Sequence, residues 1–175
     1  YGSKGAKYVI VAMGSVCDTV KLTIDELNKT EDIYGLIEVH LYRPFSPTYL
    51  TKVLPSTTEK IAVLDRTKEA GSIGEPLYLD VVAALKNQNI QIVGGRYGLS
   101  SKNTTPSDIA AVYEMLKTSL KNNFTISIVD DVTNLSLGKV PMDIEVADKE
   151  ILIYGYGSDG MVSTSKDIMH YLGEE

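Results

Sequence analysis

The chain has 175 residues, 43% hydrophobic and 23% charged, with a formal net charge of -6. That length suits one well-buried core, and the acidic balance argues against general binding to nucleic acid or anionic membranes. One cysteine, Cys17, and two histidines exclude an internal disulfide and leave no cysteine cluster for zinc or iron–sulfur within these residues.

No apolar run approaches the roughly 18 residues a membrane span requires. The expected setting is cytoplasmic and reducing. Residue 1 is Tyr, so the start reads as a cut within a longer chain.

Tyr8–Ala12 (YVIVA) is a continuous, β-branched run, as in a parallel strand buried on both faces. Ser15, with Asp18 three residues on, predicts an N-cap. Val16, Val20, Ile24 and Leu27 then share one helical face. Leu36–Leu41 (LIEVHL) reads as a second strand. Ser46-Pro47 opens a shorter helix with Tyr49, Leu50, Val53 and Leu54, its proline at the tolerated first position. Ile61–Leu64 (IAVL) is a third strand, and Glu75-Pro76 opens a helix carrying Leu77, Val81, Val82 and Leu85. After Ile90–Val93 (IQIV), Thr105-Pro106-Ser107-Asp108 combines cap, first-turn proline and acidic third residue. Ile109, Val112, Leu116 and Leu120 continue that stripe, and Ile126–Val129 (ISIV) is a fifth strand.

This alternation predicts an α/β domain: an open, mainly parallel sheet with helices on both faces and right-handed crossovers. After Val129 the helical period stops, and Gly138 and Pro141 appear. The expected division is a domain at 1–137, a linker at 138–149, and a truncated strand–helix tail at 150–175 beginning with a strand, Ile151–Tyr154.

Ligands and partners of open α/β sheets dock beyond the carboxyl ends of the strands. Those ends read MGS (Met13–Ser15), YRPF (Tyr42–Phe45), DRTKEAGS (Asp65–Ser72) and GGRYGLSSKNT (Gly94–Thr104). All three arginines, Arg43, Arg66 and Arg96, fall there. With Asp65, Lys68 and Lys102 they predict an interface, since arginine suits planar recognition and interface ion pairs. The other reading is local pairing with Asp65, Glu69 or Glu75, or a small-ligand site. Gly94–Thr104 is long for an α/β connection, and its glycines suit positive φ. Adjacent Asp130 and Asp131 read as loop contacts rather than a metal site, because neighbouring carboxylates diverge and no third ligand is near. Cys17, near a helix start, reads as a structural thiol, and His40 and His170 as structural or exposed. No residue stands out as catalytic or metal-binding.

Near the carboxyl end, Gly155, Gly157 and Gly160 spell G-x-G-x-x-G between an apolar run and a helix. That is the order a phosphate cradle needs, with Lys166 one turn on. The second strand and the ribose-binding acid of a dinucleotide site are missing.

Three stretches carry a family likeness: YVIVAMGSVCDTV, LYRPFS…AVLDRTKEAGSIGEPLYLDVVAAL and GGRYGLSSKNTTPSDI…NNFTISIVDDVTNLSL. Together they resemble the pyruvate:ferredoxin (flavodoxin) oxidoreductases, over nearly the whole chain. The matched region resembles the domain related to the carboxyl-terminal domain of transketolase, followed by the start of the next domain. That next domain opens in the family with a G-S-D-G-T-V-G-A-N-K turn. Gly157, Ser158, Asp159, Gly160 and Lys166 match it, while Met161, Ser163, Thr164 and Ser165 depart.

The resemblance implies that this turn lies near coenzyme A. It implies an intact homodimeric enzyme that uses thiamine diphosphate, Mg2+, iron–sulfur clusters and coenzyme A to oxidise pyruvate to acetyl-CoA and CO2. Electrons would pass to ferredoxin or flavodoxin. The cofactor contacts would lie outside these residues, leaving a non-catalytic scaffold whose partners are the other domains of the same enzyme. The alternatives are a stand-alone module for coenzyme A or another phosphate ligand, and a scaffold from a paralogue with another 2-oxoacid or a sulfite-reductase-type role.

Overall fold

The strands can be apolar throughout because helices cover both faces of the sheet. The computed structural model describes residues 1–129, 132–142, 144 and 152–172. Strands β1 (Tyr8–Ala12), β2 (Tyr34–Glu38), β3 (Lys60–Asp65), β4 (Gln91–Arg96) and β5 (Phe124–Thr125) pair in the order β2-β1-β3-β4-β5, all parallel. Alternate residues feed two cores. Ile10, Ala12, Ala62 and Leu64 pack with Val20 and Ile24 of α1 (Val16–Leu27) and with Ile109, Val112 and Leu116 of α4 (Pro106–Lys117). Val9, Val11, Ile61 and Val63 pack on the other face against Leu50 of α2 (Pro47–Val53) and Leu77, Val81 and Leu85 of α3 (Pro76–Leu85).

The step from β1 to β2 uses α1 on one face. The opposite steps to β3 and then β4 use α2 and α3 on the other face, as a constant hand requires. The link β4–α4–β5 steps in the same direction as β3–α3–β4, yet its helix lies beside α1. Its hand is therefore reversed, contrary to the expected right-handed rule. With only two residues, β5 imposes little strand twist on the connection.

Several boundaries differ from the sequence expectation. The second strand is Tyr34–Glu38 rather than Leu36–Leu41. The fifth is Phe124–Thr125 rather than Ile126–Val129, because Ser127 adopts φ 63° and turns the chain away after Ile126 N–H bonds Arg96 O. Ser15 makes no side-chain cap bond: its own backbone is helical, at φ -61° and ψ -21°. Gly94 and Gly95 belong to β4 and not to a turn; in the loop that follows, Gly98 alone of these glycines has positive φ, at 62°.

The chain forms two compact units, Tyr1–Ile144 and Glu145–Glu175. In the first, Val140 and Met142 N–H bond Ser107 O and Oγ at 3.1 and 3.2 Å, tying residues 140–142 to the first turn of α4. The second holds α5 (Met161–Leu172), none of whose side chains is buried. Leu152–Tyr154 form no strand, contrary to expectation, and Ile151 lies outside the described residues. So do Asp130 and Asp131, and residues 143 and 145–149 of the expected linker.

Candidate functional site

The strand order reverses direction between β1 and β3, so the crevice beyond their carboxyl ends is where this fold places a ligand. Three loops meet there. Gly14 turns the chain at φ 78° after β1, and α1 begins at Val16. Asp65 ends β3, and Arg66 follows it. Tyr97 and Gly98 follow β4, leading into a 3-10 turn at Leu99–Ser101.

The three arginines have different surroundings. Arg43 Nη1 donates to Asp80 Oδ2 at 2.8 Å, and its guanidinium lies 3.8 Å from the Tyr42 ring centre. Arg96 Nε donates to Glu75 Oε1 at 2.7 Å, and Glu75 is 1% exposed. Asp65, 4% exposed, accepts from Leu77 and Tyr78 N–H at 3.0 and 3.1 Å, capping α3 in place of the residue before it. Asp80 lies within α3 and Glu75 at its start. Arg43, Arg96 and Asp65 thus converge on one helix and hold it against the sheet. Burial raises the pKa of Asp65, opposed by the two N–H bonds and reinforced by Glu75.

Arg66, Lys68 and Lys102 pair with no carboxylate of the described residues. Arg66 and Lys102 enter a small polar crevice of about 160 Å³, also lined by Ser15, Thr19, Tyr97 and Thr104. Arg66 Nε lies 3.0 Å from where a Cβ on Gly98 would sit, so glycine there makes room for the guanidinium. Burial raises the Tyr97 pKa, with Arg66 pulling the other way. Sequence reading found Arg66 and Lys102 but not the crevice, because Thr104 and Thr19 carry no local signal of facing it.

Larger hollows of about 380 and 530 Å³ flank β2. The second is an apolar groove, with Leu41, Pro44, Phe45, Tyr49 and Val53 along it.

In the second unit, Gly157 and Gly160 adopt φ 75° and 81°. Asp159 Oδ2 accepts from Tyr156 N–H at 2.7 Å and Oδ1 from Met161 N–H at 3.0 Å, which lowers its pKa. Its carboxylate thus occupies the amino end of α5, where a phosphate would otherwise sit. No hydrogen bond or ion pair of Lys166 exists among the described residues.

Among the described residues, no group of three or more His, Cys, Asp or Glu side chains is placed to hold a metal. Cys17, the one cysteine, is buried, and burial pushes its thiol up to about 11. No described helix is long and apolar enough to cross a membrane.

Residues 6–109 match the family profile described as pyruvate:ferredoxin oxidoreductase core domain II. Nearly the whole chain, 99%, aligns at 46% identity with pyruvate:ferredoxin oxidoreductase of Moorella thermoacetica, covering 15% of that protein. The pyruvate-flavodoxin oxidoreductase of Trichormus variabilis is 46% identical over 100% of the chain and 15% of its own length. That of Klebsiella pneumoniae is 45% identical over 99% of the chain, again 15% of its own length. The chain thus spans about 15% of the length of these relatives. With an open parallel sheet and whole-chain identity of this level, the chain belongs to the pyruvate:ferredoxin (flavodoxin) oxidoreductase family, as a region that includes its core domain II.

Proposed function

We propose that this chain is the non-catalytic scaffold of a thiamine-diphosphate-dependent, homodimeric cytoplasmic enzyme that oxidises pyruvate with coenzyme A. Acetyl-CoA and CO2 would be its products, with ferredoxin or flavodoxin as electron acceptor. The carrying observation is whole-chain identity near 45% to about 15% of relatives with those names. The absent cofactors would act elsewhere in the enzyme, and no step of the reaction is assigned to these side chains. Their part is mechanical. Arg43, Arg96 and Asp65 stiffen the strand-end surface, and Arg66, Lys68 and Lys102 present charge to the neighbouring domains of the enzyme. The test is an assay of the isolated chain with pyruvate, coenzyme A, thiamine diphosphate, Mg2+ and a redox dye. No dye reduction is expected, and turnover would overturn the reading.

The turn Gly157, Ser158, Asp159 and Gly160, with Lys166, stands beside coenzyme A in the same proposal. Because Asp159 takes the first amide of α5, Met161 N–H, and the Tyr156 amide in the turn before it, Lys166 makes the phosphate contact. Calorimetry with coenzyme A tests this, and absence of heat at millimolar ligand removes it.

A further inference from the structure

We propose that the crevice between β1 and β3 is a seat for a phosphate-type oxyanion, distinct from the Gly157–Gly160 turn. Four observations converge on it. Arg66 and Lys102 line one small polar crevice and have no carboxylate partner among the described residues, although the chain as a whole is acidic. Arg43 and Arg96, by contrast, are both neutralised within the fold.

Next, Thr104 lines the crevice, and its Oγ1, turned away from solvent, has no hydrogen-bond partner among the described residues, a state that ordinarily costs free energy and that rotation of the hydroxyl into the crevice would relieve. Ser15 lines the same space and makes no capping bond, beside Ser15 and Val16 amides that bond no described residue. Finally, Gly98 at φ 62° leaves Arg66 room that a side chain, with Cβ 3.0 Å from Nε, would narrow. An anion with several acceptor oxygens suits this set of donors: a forked guanidinium, an ammonium and hydroxyls.

The crevice's volume of about 160 Å³ suits a phosphate group and not an attached nucleoside. Inorganic phosphate and the head of a phosphomonoester share that chemistry. In an ester the organic part would remain in solvent, since the crevice opens to the surface beside exposed Arg66 and Lys102.

The test uses the 175-residue chain, 15N-labelled, titrated with inorganic phosphate and separately with phenyl phosphate at constant ionic strength. Saturable shifts are expected at the amides of Ser15, Val16, Gly98 and Thr104. Arg66→Gln and Lys102→Gln should each weaken binding about five- to tenfold, while Arg43→Gln leaves it unchanged. All three side chains are exposed, and far-ultraviolet circular dichroism checks that each variant keeps the fold. Equal affinity for the two ligands assigns the seat to the phosphate group itself. Tighter phenyl phosphate binding with the same shifts and variant losses assigns it to a phosphomonoester. Shifts that never saturate, shifts confined to Tyr156–Met161, or equal loss in Arg43→Gln would each overturn the proposal. None of those outcomes bears on the scaffold reading, which the dye assay tests separately.

Discussion

Asp65 and Cys17 show how burial, as the largest cause, separates two ionisable groups from solvent chemistry. Asp65 holds its proton more tightly folded than unfolded, because burial outweighs its two N–H bonds. Between its unfolded value and its raised folded value the native state binds more protons. Its contribution to stability is therefore full below the unfolded value and is lost as pH rises through the folded one. Asp65→Asn removes that term. The stability of the natural chain relative to this variant, from urea midpoints, is expected to grow as pH falls from about 7 to about 4. Cys17 has no exposed surface, and its thiol is pushed up to about 11 by burial and, secondarily, by Glu38. Roughly one molecule in ten thousand carries a thiolate at neutral pH. Alkylation by iodoacetamide should follow global unfolding; rapid labelling of the native chain would contradict a structural thiol.

At the scale of elements, the strand β4 shows what a sequence reading can and cannot see. Its start was legible in the largely apolar run Ile90–Val93, while the strand itself is Gln91–Arg96 and is buried only from Val93 to Gly95. The role of its glycines was not. A Cβ on Gly95 would overlap the Phe124 ring, which is fully buried beside it. That contact spans distant parts of the chain, so nothing near Gly95 signals it. Gly95→Ala is expected to destabilise the fold by about 3 kcal/mol, read by urea unfolding. The start of α4 was legible because its interactions are local: Asp108 Oδ2 accepts from Thr105 N–H at 2.9 Å and from Thr105 Oγ1 at 2.6 Å. Thr105→Ala should cost about 1 kcal/mol. The strand-end arginines were legible as a group, but Arg43 and Arg96 find their acids on α3, at Asp80 and Glu75. Only the folded arrangement separates those two from Arg66.

Across the molecule, the two units differ in how they are held together. In the first, side chains from both faces of a sheet are buried; in α5 none is. A helix of 12 residues without buried contacts is marginal in water. Amide exchange should be near unprotected rates for Met161–Leu172 and slow for β1, β3 and α4; strong protection of α5 in a dilute monomer would refute this. The reversed link through α4 also has a consequence for biosynthesis. Tyr113 OH donates to Gly35 O at 2.9 Å, and Lys117 reaches Glu31 at 2.7 Å, so α4 seals a layer laid down much earlier in the chain. A nascent polypeptide that has emerged only as far as Thr104 would carry Ile10, Ala62 and Leu64 on an uncovered greasy wall. During translation that wall invites chaperones or aggregation until α4 leaves the ribosome and closes over it.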